Sequence, residues 1–368
     1  MLTMKRNIAN FKWSKRTTLI VIVAILMMIV ISHKGSSQEQ SLTMGSGEDT
    51  VRSEKERSLL EQVHALDLDS LKKGRTTVHY PSGYSEHAIN FGRRTEEAFK
   101  YFQDSLDVGL KEFHLIMADR KDWEKLSDLP YGMPESRNLG EQDSGRPPSI
   151  IIPADAMGVV YEQLRDMENC ITSDHRQRLE KIGLSWEEAA RHYVEAITFH
   201  EIGHGIISVY EINFPSGWFG EFLTNVFTYS YLFNKERVNA RIWDFMTEVT
   251  LECYTPKFRT LEDLMLGKID AYDYHWYQSR FIQRANGLVE NNGMDFIHDA
   301  KKLFPDDPSG KTLSEKTKAV YTNMESMSEE EAARRFKKIN TELISRLEEI
   351  APGFKAWAEG FSDKGKSQ

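Results

Sequence analysis

A helical pattern of apolar and polar residues runs from residue 186 to residue 210. Apolar side chains recur there three and four positions apart, which is the spacing of one helix face, and no proline interrupts the stretch. These side chains are Ala189, Ala190, Tyr193, Val194, Ala196 and Ile197. Just before them, Ser185 and Glu188 form a Ser-x-x-Glu capping box, which is typical of a helix N-terminus. The pattern predicts a well-capped helix that starts after Ser185.

Upstream of this helix, short apolar runs are separated by turn residues, a pattern that is typical of strands and connecting helices. The predicted strands are Arg75 to Tyr80, Glu112 to Ala118 and Ser149 to Pro153. The predicted helices of this part are Leu59 to Leu71, His87 to Leu106 and Met157 to Glu168. A small sheet placed ahead of several helices predicts the α+β class.

Downstream, a turn at Pro215 to Gly217 is followed by an apolar helical run that ends near Phe233. Beyond Pro256 the pattern is helical almost throughout. The predicted helices are Leu261 to Lys268, Tyr277 to Glu290, Phe296 to Phe304, Glu315 to Met324 and Ser328 to Ile350.

The N-terminal residues differ in composition from the rest of the chain. A basic segment ending at Lys15 and Arg16 precedes a continuously apolar run from Leu19 to Ile31. Because no Ala-x-Ala cleavage site follows, we interpret residues 1–33 as a signal-anchor with a transmembrane helix, and a cleaved signal of a secreted protein as the alternative. Residues 34–56 predict a flexible linker. This interpretation makes the membrane a partner of the N-terminal segment and predicts an extracytoplasmic location for the remainder.

Charge and cysteine content narrow the classes of function. The chain of 368 residues has a formal net charge of -9, and since its N-terminus is basic, the remainder is more acidic still. An acidic surface argues against nucleic acid as a partner. Cys170 and Cys253 can form at most one disulfide, and two free thiols are the alternative. No Gly-x-Ser-x-Gly motif and no phosphate-binding glycine loop occur, so a serine nucleophile and nucleotide chemistry have no motif in their support.

The predicted helix contains the sequence His200-Glu201-Ile202-Gly203-His204. In a helix, His200 and His204 lie one turn apart on the same face, where two neutral imidazoles can bind one zinc ion. Glu201 is adjacent to the first histidine and can reach a water bound to that metal. The alternative is a pair of surface histidines on an amphipathic helix.

A catalytic zinc ion has a third protein ligand, and Glu221 is the candidate. It lies in the first turns of the next predicted helix between Phe219 and Phe222, where a carboxylate must be paired, bound to a metal or at the surface. Asn225, one turn further on, could hydrogen-bond a ligating imidazole. Glu211 is a weaker candidate because it lies too close to the histidine motif. The alternative for Glu221 is a solvated carboxylate stabilised by the helix N-terminus.

The combination of His200-Glu201-x-x-His204 with Trp218-Phe219-Gly220-Glu221-Phe222 resembles the gluzincin branch of the zincin metallopeptidases. The tryptophan and glutamate match the Trp-x-x-Glu-Gly-Phe stretch of the aminopeptidase-like members, whereas Phe222 replaces the glycine of that family. The resemblance implies one zinc ion per chain, bound by His200, His204 and Glu221, with Glu201 as the general base. The Gly-x-Met-Glu-Asn element of the exopeptidases is absent, so aminopeptidase activity does not carry over.

The same resemblance implies a zincin-like fold. Its parts would be a small N-terminal mixed sheet, a central metal-binding helix and a mostly helical C-terminal part. Members of the family pair extended substrate with an edge strand, and Tyr131 to Ser136 or Ser149 to Ile152 would be that strand here. An ordinary edge strand is the alternative. The expected division is a catalytic domain at residues 57–255 and a helical subdomain at residues 256–368 that completes the active site.

Donors for a developing oxyanion are concentrated between Asp270 and Phe281. Tyr277, at the start of a predicted helix, is the first choice for this role, Tyr274 is the second, and His275 is a further donor. The alternative is an aromatic cluster that packs the C-terminal helices together.

These features predict a zinc metallopeptidase that hydrolyses a peptide or protein substrate. One alternative is a zinc-binding pseudopeptidase that acts as an extracytoplasmic binding module. Two others are a membrane-anchored interaction protein without a metal and a zinc hydrolase of non-peptide amides.

Overall fold

The computed structural model of the chain describes residues 59–108, 112–137, 148–304 and 313–362. The strands are β1 (Leu68–Lys73), β2 (Thr76–Pro81), β3 (Phe113–Ala118), β4 (Glu135–Arg137) and β5 (Ser149–Pro153). The helices up to the disulfide are α1 (Leu59–His64), α2 (Ser85–Leu106), α3 (Arg120–Leu126), α4 (Val159–Met167), α5 (Ser173–Lys181), α6 (Trp186–Val209), α7 (Gly217–Lys235) and α8 (Arg237–Cys253). The remaining helices are α9 (Leu261–Met265), α10 (Ala271–Asn292), α11 (Asp295–Leu303), α12 (Leu313–Thr322), α13 (Glu329–Ile350) and α14 (Phe354–Ala358).

The strands form one five-stranded mixed sheet in the order β1-β2-β3-β5-β4. The inner strands β2, β3 and β5 are parallel, and the outer strands β1 and β4 pair antiparallel with their neighbours. Every residue of β3 is buried, which is expected where both faces of a parallel sheet are covered. One face packs on α2 through Phe113 and Leu115, and the other packs on α1 and α3 through Ile116. A small mixed sheet accompanied by many helices confirms the α+β class.

Two strands differ from the sequence prediction. The predicted helix Leu59 to Leu71 ends at His64, and β1 follows as an edge strand paired with β2. The stretch around Ser136 forms β4, which is the edge strand beyond β5, whereas Ser149–Pro153 lies inside the sheet between β3 and β4. Of the two edge-strand candidates, only the first lies at an edge. The register of β4, with Ser136 opposite Ile150, brings that edge to the side of α6.

The helix predicted after Ser185 is α6. Its capping box forms as predicted, because Ser185 Oγ accepts a hydrogen bond from the Glu188 backbone and Glu188 accepts one from the Ser185 backbone at 2.7 Å. The helix packs against α7, α8 and the β4 side of the sheet. At the contact with α7, a Cβ on Gly203 would lie 3.0 Å from the Thr224 methyl group and 3.1 Å from its carbonyl oxygen. Glycine therefore permits the close approach of α6 and α7 within the histidine motif.

Helix α7 is apolar around most of its circumference and is buried between α6, α8 and α10. A disulfide joins Cys170, after α4, to Cys253 at the end of α8, with Cα atoms 5.8 Å apart. This bond decides between the two sequence-based alternatives for the cysteines.

The predicted membrane anchor requires a correction. Among the described residues, none of the helices combines the length and the apolar character that crossing a bilayer requires. The transmembrane helix, the signal-anchor, the membrane as a partner and the membrane-anchored localisation are therefore withdrawn. The apolar run from Leu19 to Ile31 and the linker at residues 34–56, on which that interpretation rested, lie outside the described residues.

Candidate metal centre

A cluster of side chains that could bind a metal ion lies in the C-terminal half of α6. The ligand atoms of His200, Glu201 and His204 all lie within 4.8 Å of one another, so this group could hold a metal ion. The two imidazole rings are one turn apart, with centroids separated by 5.0 Å. His200 and Glu201 are buried, and the His204 side chain retains 22% of its exposure. The helix predicted from the capping box thus brings the motif together as expected.

The carboxylate of Glu221 on α7 faces both histidines. Its Oε2 is 3.2 Å from Nε2 of His200, and its Oε1 is 3.6 Å from Nε2 of His204. Burial alone would raise the pKa of Glu221, but the neighbouring histidines and a hydrogen bond from Gln278 outweigh it and hold the pKa at about 2. The carboxylate is therefore charged. A solvated carboxylate at a helix N-terminus, the alternative for Glu221, does not describe a side chain in this position.

Asn225 determines which nitrogen of His200 carries the proton. The amide group of Asn225 donates its hydrogens to the Glu221 carbonyl oxygen at 3.0 Å and to Gln278 Oε1 at 2.8 Å. Its Oδ1, 3.1 Å from Nδ1 of His200, is therefore an acceptor, and Nδ1 is the donor. The neutral His200 ring consequently has its lone pair on Nε2, towards Glu221.

The same reasoning applies to His204. The Thr224 hydroxyl donates its hydrogen to the Gly220 carbonyl oxygen at 2.9 Å, so its oxygen accepts from Nδ1 of His204 at 3.0 Å. The lone pair of the neutral His204 ring is then on Nε2 as well. Burial lowers the pKa of His204 to about 4, which favours this neutral form.

Two imidazole lone pairs and a charged carboxylate thus converge on one volume. Three acceptors at such distances repel one another unless a cation lies between them. A proton can take that place at His200, where the hydrogen bond and charge of Glu221 outweigh burial and raise the pKa. A metal ion satisfies all three groups at once, and histidine nitrogens fixed by hydrogen bonds on their far side are typical of metal ligands. The donor set and its tautomers therefore fit a metal ion.

Gln278 connects the residues behind the cluster. Its Nε2 donates to Glu221 Oε2 at 2.6 Å and to the Tyr274 hydroxyl oxygen at 2.7 Å, while its Oε1 accepts from Asn225. The Tyr274 hydroxyl donates to the same Glu221 oxygen at 3.0 Å. Tyr274 and Gln278 are one turn apart on α10, which is why they act on one carboxylate.

The structure separates the two predicted tyrosines. Tyr274 lies against Glu221, and burial beside this carboxylate raises the pKa of its hydroxyl well above the usual value. Tyr277 is fully buried, donates to the Thr260 carbonyl oxygen at 2.6 Å and stacks on Phe361. It is not brought to the cluster. The reason is the start of α10, which is capped by the Asp270 side chain and begins at Ala271 rather than at Tyr277.

Glu201 lies next to His200 on α6 and contacts Ser136 of β4. It is 5% exposed, and burial raises its pKa to about 7. A hydrogen bond from the side chain of Ser136 on β4 favours its charged form, while Oε2 has no partner among the described residues. A buried carboxylate oxygen without a partner is costly, and such groups are found where chemistry requires them.

A cavity of about 100 Å³ opens beside the cluster. Its lining residues from the cluster are His200, Glu201, His204, Asn225, Tyr274 and Gln278. The other lining residues are mostly apolar: Met133, Pro134, Val159, Val160, Gln163, Tyr193, Ile197, Trp243, Ala271, His275 and Ile282. The loop before β4 closes one side, because Gly132 and Gly158 allow backbones to touch and the Val159 N–H donates to the Tyr131 carbonyl oxygen at 2.8 Å.

Comparison of the chain with protein-family models, with curated proteins and with solved structures finds no match. The gluzincin resemblance therefore rests on the motif and its geometry.

Sequence reasoning missed Thr224 and Gln278. Thr224 stands three positions after Glu221, and Gln278 stands four positions after Tyr274. Helical spacing from the chosen residues was the available signal, since side chains three and four apart are neighbours on a helix. The same helical spacing predicts Asn225, four positions after Glu221, and it predicts Thr224 and Gln278 equally well.

Proposed function

We propose that this protein is a zinc-dependent peptidase in which His200, His204 and Glu221 bind the metal and Glu201 is the general base. The observation that carries the proposal is the convergence of two Nε2 lone pairs and the Glu221 carboxylate, each oriented by a hydrogen bond from behind. Two imidazoles and one carboxylate are a ligand set of catalytic zinc sites, in which a fourth position stays open.

Zinc, when bound, supplies a Lewis acid and lowers the pKa of water towards neutrality. Glu201 accepts the proton of the attacking water and delivers it to the leaving amine. Its raised pKa, which follows from burial, suits a group that both takes and gives a proton near neutral pH. Its unpartnered oxygen leaves one acceptor available to the reactants.

The Tyr274 hydroxyl is the donor to the developing oxyanion, and it replaces Tyr277 as the first choice for this role. It lines the cavity beside the histidines, and its hydrogen, which it donates to Glu221 in this structure, would turn to the oxyanion. Tyr277 does not line the cavity, and its hydroxyl donates to the Thr260 carbonyl oxygen. Gln278 holds Tyr274 and Glu221 at a fixed separation through one amide nitrogen. The backbone of β4, an edge strand next to Glu201, suits an extended peptide that pairs with it.

The competing proposal is a zinc-binding pseudopeptidase. It shares the ligands and differs only in turnover, so Glu201 decides between the two. A binding module has no need of a buried carboxylate with a free oxygen beside the metal, and such a group lowers stability without a compensating contact. This favours the enzyme.

The test combines metal content with hydrolysis, on the full chain. Elemental analysis should find one zinc ion per wild-type chain, and both His204→Ala and Glu221→Ala should lose it. Glu201→Gln should retain zinc and lose hydrolysis of a fluorogenic peptide library. Glu187→Gln, an exposed change in the first turn of the same helix, is the matched control and should change neither property.

The outcomes separate the candidates. Zinc in the wild type without hydrolysis that depends on Glu201 would establish the pseudopeptidase. Absence of zinc after reconstitution would remove both. Zinc retained by Glu221→Ala would remove Glu221 as a ligand.

A further inference from the structure

The cavity extends away from the metal cluster between α4, α6 and α10. Along α6 its lining passes from His200 to Ile197 and Tyr193, and the latter lies about 10 Å from His200 along the helix axis. Trp243 of α8 stacks on Tyr193, with ring centroids 4.7 Å apart, and lines the same region. The volume of about 100 Å³ is of the size that admits a single small ring or side chain.

One buried amide interrupts this apolar lining. Gln163 on α4 is 5% exposed and lines the cavity together with Val159 and Val160. Among the described residues, its side-chain amide has no hydrogen-bond partner. The residue is buried, but its amide atoms are not among the fully buried polar atoms, so the amide faces the cavity and is open to whatever occupies it. A ligand that hydrogen-bonds this amide therefore binds better than one that displaces its water without replacing the hydrogen bond.

The charge of the region restricts what can enter it. Away from the metal cluster, the lining contains no aspartate, glutamate, lysine or arginine. His275 lines the cavity, and its Nε2 is 3.4 Å from the Tyr193 hydroxyl oxygen. Burial lowers the pKa of His275 to about 4, so the ring is neutral at physiological pH. A charged side chain would therefore lose its hydration without gaining a partner of opposite charge.

We propose that this cavity is the pocket for one substrate side chain and that Gln163 makes it selective for an uncharged side chain with an apolar body and a hydrogen-bonding tip, as in tyrosine or glutamine. The apolar lining contacts the body of that side chain, and the Gln163 amide donates to or accepts from its tip. The proposal rests on the proposed peptidase function, since the pocket begins at the metal cluster.

The test measures binding, so that it does not depend on turnover. Four capped tripeptides, with tyrosine, phenylalanine, glutamine or leucine between two alanines, are titrated by calorimetry into the full-length Glu201→Gln protein. We expect tyrosine to bind about 5- to 10-fold more tightly than phenylalanine, and glutamine to exceed leucine by the same factor, the value of one buried hydrogen bond. Adding Gln163→Leu should bring both ratios to about one.

Introducing a charge at the same position gives a second test. Gln163→Glu should favour the same tripeptide with lysine at its centre, which the unchanged pocket rejects. The matched control is Gln177→Leu, the same change at an exposed position of α5, which should leave both ratios unchanged. Circular dichroism establishes that each variant is folded.

Equal binding within each peptide pair, a preference that survives Gln163→Leu, or no binding of any of the four peptides would overturn the proposal. Failure of the proposed function is seen separately. It would appear as missing zinc or as missing hydrolysis in the wild type, while the binding ratios still report on the pocket.

Discussion

Gln278 is the residue whose replacement most directly tests the network behind the candidate metal centre. Its amide nitrogen donates to Glu221 and Tyr274, and its oxygen accepts from Asn225. Gln278→Met keeps the length and the approximate volume of the side chain but removes all three hydrogen bonds. We expect the variant to fold, to bind zinc more weakly and to hydrolyse peptides more slowly, because Glu221 then keeps only the hydrogen bond from Tyr274 and is less firmly oriented.

The magnitude follows from the bonds that are lost. A hydrogen bond to a charged carboxylate contributes about 1.5–3 kcal/mol. Part of this contribution stabilises the metal-free chain as well, because Glu221 lies beside His200 in that state and accepts the same hydrogen bond from Gln278. Replacing a residue that orients a metal ligand usually lowers affinity about 10- to 100-fold. We therefore expect the Kd for zinc to rise by this factor, and the free energy of unfolding of the metal-free chain to fall by roughly 1–3 kcal/mol, since an Asn225 N–H loses its acceptor.

The assay is competition for zinc between the full chain and a chromophoric chelator, with chemical unfolding followed by circular dichroism. Gln283→Met, an exposed change on the same helix, is the matched control and should leave the Kd unchanged. A Kd for Gln278→Met within twofold of the wild type, in a folded protein, would refute the reasoning that this network orients Glu221.

Three further perturbations test the fold around the site. Replacing both Cys170 and Cys253 by serine should lower the free energy of unfolding by about 4–5 kcal/mol, because the disulfide joins residues 83 positions apart. A loss of less than about 1 kcal/mol, measured by chemical unfolding, would contradict this expectation. Burial lowers the pKa of His79 to about 4, below its value of 6.5 in the unfolded chain, so its contribution to stability is complete above pH 6.5 and is lost as the pH falls towards 4. His79→Phe should therefore reduce the decline of stability between pH 6.5 and 4 by at most about 3 kcal/mol. If the free energies of unfolding of variant and wild type fall in parallel over this pH range, His79 is not the cause of the decline. Gly203→Ala should lower the melting temperature and the zinc affinity, because its Cβ contacts Thr224. Gly287→Ala, with open space around its Cβ, should instead stabilise α10 by up to about 1 kcal/mol. Equal effects of the two changes would show that the close contact at Gly203 is unimportant.

The part of the site that sequence predicted is the part governed by local rules. The capping box at Ser185, the apolar spacing after it and the histidines four positions apart all depend on residues within one helix. Glu221 and Asn225 were also accessible, because a carboxylate among aromatic residues requires a partner and the next turn supplies one. The sequence predicts a hydrogen bond between Asn225 and one of the two imidazoles, and in the structure this imidazole is that of His200.

The different positions of the two tyrosines in the structure have an equally local reason. The prediction began the helix at Tyr277, but Asp270 accepts hydrogen bonds from the backbone of Tyr272 and Asp273 and starts α10 there. Aspartate as an N-cap was a readable signal. With the earlier start, Tyr274 and Gln278 become one-turn neighbours, and Tyr274 becomes the residue that faces Glu221.

The strand order and the edge strands depend on contacts that local patterns do not contain. The Leu68–Lys73 stretch has few buried side chains, and its strand conformation comes from backbone pairing with β2. The order β3-β5-β4 inserts a later strand between two earlier ones, so no local feature assigns Ser149–Pro153 to the interior. The disulfide likewise joins two helical regions whose proximity follows only from packing.

The candidate metal centre and the pocket share two helix faces, although Glu221 lies on α7. On α6 one stripe carries Tyr193 and Ile197 in the pocket and the histidines at its end, and on α10 one stripe runs from Tyr274 and Gln278 to Ile282. The orientation of the metal ligands and the selection of a substrate side chain therefore both depend on how α6 and α10 pack against α7. A change that alters this packing, such as one at Gly203, should move zinc affinity and peptide preference together. A change confined to α4, such as one at Gln163, should alter peptide preference alone, since α4 contributes no residue to the cluster.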